Sequence, residues 1–402
     1  MDLDSNADEE AWGAQEDDWE PGSPIQYSND TANETAGPFP YLNITTQVRI
    51  EYAMPLFGYA FPVLFIITIV ANTLVVVVLS KRHMRSPTNA VLMGMALSDM
   101  LTVLFPAPWM LYMYTFGNHY KPFSPTVACY CYLWMNEVIP NLFHTASVWL
   151  TLALAVQRYI YVCHAATART WCTMPRVLRG IVWIFVFATL HQSTRFVDSV
   201  FLHVEITWEG EVHSACQERI ADWVDSVGRN VYFPFYFLFR VIFIHLCPCV
   251  SLIVLNILLL RAMREAQRKR QQLFKDNKKG SGECRRLMDS YSTTLMLFVV
   301  VTVFLVVEVP LAVLTILHVI SSVVEEFLDY EVVNTLILMN NFFIIVSYPI
   351  NFAIYCGMSR QFRKTFKELF VWGAGSATKD GYGSSRYSLV NGPRTCTNET
   401  VL

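Results

Sequence analysis

The stretch Glu137-Val-Ile-Pro-Asn-Leu-Phe-His-Thr-Ala-Ser-Val-Trp-Leu-Thr-Leu-Ala-Leu-Ala-Val-Gln-Arg-Tyr159 is apolar over most of its length. Within it, Glu137, Asn141, His144, Ser147, Thr151 and Arg158 recur at intervals of three, four or seven. That spacing puts all six on one face of a helix. Polar groups are expensive against lipid, so the face must turn into a helical bundle. Its outer half is expected to line a ligand cavity and its inner half a signalling core. Ser147 and Thr151 have a second use open to them, a hydrogen bond back to a carbonyl of their own helix.

Working outward, a helix needs about 20 largely apolar residues to cross a bilayer. Seven stretches nearly free of Lys, Arg, Asp and Glu meet that need: Met54 to Ser80, Asn89 to Phe116, Cys129 to Val156, Gly180 to Thr194, Val231 to Leu260, Ser290 to Val319 and Val332 to Gly357. The fourth is the shortest, carries His191 and stops at Arg195, and four others hold one charge each: Asp99, Glu137, Arg240 and Glu308. The composition agrees, with 53% hydrophobic residues, 16% charged residues and a mean hydropathy of +0.34. So little polar surface cannot enclose so much apolar material in water.

Charge orients the chain. With the amino terminus outside, 24 of the 30 Lys and Arg fall on the cytosolic side, as the positive-inside rule requires. The segment Met1 to Glu20 is acidic and lacks an apolar core, so the first span is expected to target the chain. Residues 1–51 read as a disordered acidic extracellular tail with glycosylation sequons at Asn29, Asn33 and Asn43. Residues 52–370 form the membrane domain. Within it, 358–370 alternates Phe362, Phe366, Leu369 and Phe370 with Arg360, Arg363, Lys364 and Lys367, the pattern of a basic amphipathic helix on the inner membrane surface. Residues 371–402 read as a disordered cytosolic tail. The fold class is therefore all-α, a seven-transmembrane-helix bundle with a cytosolic amphipathic eighth helix.

From Tyr52 to Phe370 the chain resembles the rhodopsin-like G-protein-coupled receptors. The landmarks fall in family order: Asn72, Leu97-Ser98-Asp99, Gln157-Arg158-Tyr159, Trp183, Pro248, Phe304 with Pro310, and Asn351-Phe-Ala-Ile-Tyr355. Gln157 replaces the usual acid before Arg158, Glu308 stands where most members have Trp, and Phe352 where most have Pro. These departures are similar to those of the invertebrate sex peptide and myoinhibitory (allatostatin-B) peptide receptors, relatives of the FMRFamide receptors. The resemblance implies a plasma-membrane neuropeptide receptor that binds an amidated, tryptophan-containing peptide and activates a heterotrimeric G protein, of the inhibitory class. An FMRFamide-like peptide is the alternative ligand.

The resemblance also implies roles. Arg158, Tyr159, Phe304, Glu308, Pro310, Asn351 and Tyr355 form the activation switch, with Pro310 as the pivot of the sixth helix. Asn72, Asp99, Ser147, Ser347 and Asn351 form a buried polar cluster that holds a sodium ion at Asp99. The alternative is a hydrogen-bonded network around a protonated Asp99, with no ion. Glu308 adds a second acid nearby, and two carboxyls in one low-dielectric pocket share protons, so Glu308 is expected to be mostly neutral at rest. Trp109, Trp134, Glu137, Asn141, His144, Arg240, Phe243, Glu308 and Asn341 are the candidate ligand contacts. Pro140 stands where amine receptors carry an Asp, which argues against a monoamine. A face with 23 acids outside against five basic residues steers neutral or cationic ligands inward.

Cys129, Cys131 and Cys216 are the cysteines in an oxidising location, so one pair with Cys216 is expected. Cys131 is preferred because it lies nearer Arg158, and Cys129 stays open as the alternative. The separation of 27 residues between Cys131 and Arg158 is two longer than the family usually shows, a difference that a bulge at Pro140 would absorb. Ser384, Ser385, Ser388, Thr395 and Thr397 suit phosphorylation and arrestin recruitment, and Thr400-Val401-Leu402 has the form of a PDZ-domain ligand. Nothing points to a nucleic acid or to a metal centre. An intramembrane hydrolase would need a Gly-x-Gly-Asp or His-Glu-x-x-His element, and neither occurs. A transporter built from inverted halves would show an internal repeat, and none is found.

Overall fold

The computed structural model describes residues 41–42, 49–208, 210–276, 281–323 and 330–372. The sequons at Asn29, Asn33 and Asn43, the tail serines and threonines, and Thr400, Val401 and Leu402 lie outside these residues. So do the side chains of Asn351 and Tyr355, although their backbone is helical.

Among the described residues seven helices are long and apolar enough to cross a membrane: α1 (Ile50–Leu79), α2 (Pro87–Thr115), α3 (Thr126–Cys163), α4 (Met174–Phe196), α5 (Arg229–Glu265), α6 with its apolar part at Phe298–Leu317, and α7 (Val332–Ile354). The whole of α6 runs Ser281–Val323 and carries Pro310 in its interior. The fourth helix is longer than its apolar core, because Arg176 and Arg179 continue it beyond the uncharged stretch. A further helix, α8 (Arg360–Lys367), begins at Ser359, whose hydroxyl accepts from the Phe362 N–H, the usual way to satisfy a first-turn donor.

The third helix is the centre of the bundle and packs against α2, α4, α5 and α6. At Gly94 an added Cβ would meet a Leu150 methyl at 3.3 Å, so α2 and α3 pack tightly there. One apolar cluster fills the Arg158 end, from Val75, Leu79 and Met95 to Leu150, Leu154 and Phe362. The other fills the opposite end, from Phe57 and Phe61 to Met113, Leu133 and Phe201. Phe352, the residue in the usual Pro position, packs edge-on against Phe362 and Phe366 of α8 at 6.2 and 6.1 Å.

Between α4 and α5 the chain forms an antiparallel hairpin of β1 (Ser199–Trp208) and β2 (Glu211–Ile220), with Ser199 opposite Ile220 and Trp208 opposite Glu211. The turn places Gly210 at φ +84°, a conformation that favours glycine. This hairpin is an addition to the all-α reading. Its ten-residue strands are too short to carry a span-length apolar signal, and on the sequence alone they read as an acidic loop.

Candidate functional site

At the hairpin end the helices enclose a cavity of about 340 Å³. Its polar lining includes Asn136, Glu137, Asn141 and His144 from α3, Arg240 from α5, and Asn341 and Tyr348 from α7. The Arg240 guanidinium donates to the Asn141 side-chain oxygen at 2.9 Å. That bond answers the cost of an arginine inside a span. Glu137 lies 3.4 Å from the Arg195 guanidinium, and Arg195 is also paired with Asp198. The fully buried Asp198 accepts from the Tyr232 hydroxyl at 3.2 Å. The cavity thus presents an acid and a base, each already oriented by a partner.

Two π-helical turns place these groups. In α3 the turn Trp134–Val138 closes with the Ile139 N–H on the Trp134 carbonyl, just before Pro140. In α5 the turn Arg240–Leu246 precedes Pro248. Residues five apart on an α-helix stand roughly 140° apart around its axis. The π turn lets Arg240 face the cavity while His245 faces the bundle core. Such turns recur at functional sites.

Beneath the cavity, His144 Nε2 lies 3.1 Å from Glu308 Oε1, and His245 Nδ1 lies 3.6 Å from Glu308 Oε2. The first pair lacks the alignment of a hydrogen bond and the second lies beyond its reach, so both are ion-pair contacts when the imidazoles are protonated. The other His144 ring nitrogen is 3.3 Å from the Tyr348 hydroxyl. One carboxylate, 1% exposed, therefore gathers α3, α5, α6 and α7. A buried acid alone costs several kcal/mol, and two imidazoles supply its counterpart. His144 lines both the large cavity and a smaller one of about 20 Å³ below it.

The family model of the serpentine-type seven-transmembrane G-protein-coupled chemoreceptors Srw matches residues 59–373. The chain belongs to the seven-transmembrane G-protein-coupled receptors. This receptor is 57% identical over 365 residues to the sex peptide receptor of Drosophila melanogaster, covering 90% of this chain and 83% of that one. It is 35% identical to sex peptide receptor-related protein 2 of Caenorhabditis elegans, covering 82% and 76%. With the Drosophila FMRFamide receptor the identity is 26%, covering 80% and 54%. These are signalling receptors, and the receptor is not an enzyme.

Several expectations change. Cys216 pairs with Cys129, and Cys131 is a free thiol. Cys129 is completely buried against β2, whereas Cys131, two residues round the helix, faces elsewhere. Counting toward Arg158 cannot separate the two positions, because the π turn alters the residue count per turn. Trp109, Trp134 and Phe243 do not line the cavity. Trp109 packs edge-on against Phe123 and Tyr132 at 5.7 Å each. Trp134 donates its indole N–H to the Phe196 carbonyl at 3.2 Å, and Phe243 is exposed and stacks on Phe239. Glu308 lies below the cavity rather than on its wall, and its close partners are His144 and His245, in place of a proton shared with Asp99.

In the receptor's inner core the Ser147 hydroxyl donates to Asp99 at 2.6 Å, while Thr151 takes the other course and donates to the Ser147 carbonyl. Ser347 donates to the Ile344 carbonyl of its own helix. Asn72 donates to the Thr68 carbonyl, and its side-chain oxygen has no protein partner. Asp99, Ser147, Ser347, Phe304 and Glu308 all line the smaller cavity, and Asn72 does not. Pro310 lies two residues beyond Glu308. Arg158 sits 5.8 Å over the Tyr161 ring and lines a cavity with Tyr161, Ser86 and Gln361, while Tyr159 packs edge-on against His164 at 5.7 Å. Gln157 is buried with neither amide atom bonded, so it does not restrain Arg158. His245 escaped the sequence reading because its five-residue spacing from Arg240 is not helical.

Proposed function

We propose that this chain is a neuropeptide receptor of the plasma membrane, with its amino terminus outside and its carboxyl terminus in the cytosol. Its ligand is an amidated peptide carrying tryptophan, of the myoinhibitory or sex peptide type. The observation that carries the reading is the cavity in which Glu137 and Arg240 face the same space, each held by a partner. A terminal carboxamide is neutral and both donates and accepts. It accepts from Arg240 and donates to Glu137 or Asn341, whereas a terminal carboxylate would meet Glu137 with like charge. An indole face over Arg240 adds a cation–π contact. The names of the relatives, a sex peptide receptor and an FMRFamide receptor, favour a peptide ligand.

Ligand contact reaches the core through His144, which lines both cavities together with Ile344 and Tyr348. A ligand shifts a two-state equilibrium by its differential affinity for the two states. Moving His144 weakens the hold on Glu308, and α6 swings about Pro310 to open a cavity around Arg158 for a heterotrimeric G protein of the inhibitory class. Asp99, Ser147 and Ser347 offer the oxygen ligands a small hard cation prefers, and the adjoining space of about 20 Å³ suits one sodium ion or one water.

In cells expressing the receptor, an amidated two-tryptophan peptide should dissociate an inhibitory G protein. Its free-acid form should be at least about tenfold weaker, a difference of roughly 1.4 kcal/mol. Equal potency of the two forms, or no dissociation with either, would overturn the reading. A higher potency for an FMRFamide-like peptide would favour the alternative ligand.

A further inference from the structure

On the outward side of α6 and α7 lies an apolar groove of about 910 Å³ that the peptide cavity does not reach. Val306, Val313 and Phe343 line it and are 68%, 50% and 58% exposed, so the groove faces the space that lipid occupies around a spanning helix. It runs from Leu314 and Leu336 to Thr302 and Ile350, about 18 Å along α6 at the helical rise. None of its lining residues is charged.

Within this apolar wall one side chain stands out. Asn340 is 7% exposed and lines the groove, and its amide nitrogen has no hydrogen-bond partner. The groove's other polar side chains are satisfied within their own helices, Thr302 by the Phe298 carbonyl and Ser347 by the Ile344 carbonyl. Pro310 of α6 lines the same groove. Proline has no N–H, so it withdraws the helical donor from the Val306 carbonyl one turn away. The groove therefore combines an unfilled donor with an acceptor that lacks its ordinary partner. In a bilayer core without water each such group costs several kcal/mol.

We propose that this groove binds a membrane sterol, its hydroxyl accepting from Asn340 and donating to the Val306 carbonyl, with its ring system along α6 and α7. Depth selects the class. Asn340 lies eight residues, about 12 Å, inside the Val332 end of the span. A single neutral hydroxyl can descend that far when both of its hydrogen bonds are restored. A phospholipid headgroup or a fatty-acid carboxylate cannot, because no charged group meets it there. A rigid ring system also loses less conformational freedom on binding than an acyl chain. The groove volume lies within the usual range for small-molecule sites, about 300–1,000 Å³.

The test uses the full-length receptor in phosphatidylcholine nanodiscs, photolabelled with a diazirine-bearing cholesterol and mapped by peptide mass spectrometry. Adducts should concentrate on 302–314 and 336–350, and unlabelled cholesterol should displace them while palmitate does not. Asn340→Leu should lower labelling about tenfold, the worth of one or two hydrogen bonds, and Val313→Trp should abolish it by filling the groove. Labelling spread over all lipid-facing helices, equal displacement by palmitate, or unchanged labelling in Asn340→Leu would each overturn the proposal. The displacement experiment needs no variant, so it decides the matter even where a substitution misfolds. Labelling is read without agonist, so the result stands apart from the identity of the peptide.

Discussion

The two halves of the bundle are held in different ways. At the hairpin end, α3 is tied to β2 by the Cys129–Cys216 disulfide. Leu42 N–H donates to the Cys216 carbonyl at 2.7 Å, the Phe201 N–H to the Tyr130 hydroxyl at 3.1 Å, and the Tyr236 hydroxyl to Gln192 at 2.6 Å. Arg195 bridges Glu137 and Asp198. At the other end, packing is chiefly apolar, and Arg158 has an aromatic ring beside it where an acid would hold it. Directional bonds and covalent closure keep one geometry, whereas apolar packing can trade one arrangement for another at modest cost. The difference teaches that the hairpin half is a fixed cup and the Arg158 half is the part able to open. Glu308 sits at the boundary.

The largest effect is expected at that boundary. Replacing Glu308 with Leu strands two buried imidazoles, and breaking a buried charge contact costs about 3–5 kcal/mol. The unfolding midpoint of the purified receptor should fall by roughly 10 °C, and adding His144→Leu and His245→Leu should restore part of it. An unchanged midpoint in Glu308→Leu would remove the boundary from the comparison.

Next comes the covalent tie. Cys129→Ser should cost about 2–4 kcal/mol and most surface expression, measured by antibody on intact cells, whereas Cys131→Ser should stay within about 0.5 kcal/mol of the parent. Equal losses would contradict the pairing. Arg240→Ala should weaken the amidated peptide by about 10- to 100-fold in a G-protein dissociation assay, the scale of a charge-assisted hydrogen bond. Expression should stay near normal, since the cup is held elsewhere.

The smallest effect sharpens the other half. Gln157→Glu sets an acid beside Arg158 and should lower basal signalling about two- to fivefold, a partly exposed ion pair being worth about 0.5–1 kcal/mol. Raised basal signalling would show that the Arg158 half is restrained by something else.

Much of the bundle is legible along the chain. Seven apolar stretches and the inward face of α3 follow from length and from a period of 3.6, which are properties of neighbouring residues. Even within α3, two hydroxyls four residues apart diverge. Ser147 reaches Asp99 on α2 and Thr151 returns to its own helix, a choice set by the distance to the adjacent helix. The cavity lining was partly readable for the same reason. Glu137, Asn141 and His144 share the period of α3, but Trp109 and Trp134 found partners among neighbouring rings.

The sequence by itself determined how many helices cross the membrane and which face of the third turns inward, because burying peptide groups in lipid leaves a helix little alternative. Only the tertiary structure decided that Cys129 reaches Cys216, that His245 joins His144 at Glu308, and that Asn340 and Pro310 line one groove on the outward side. Each of these joins residues on different helices, and the π turns at Trp134 and Arg240 shift the phase on which any extrapolation along the chain depends.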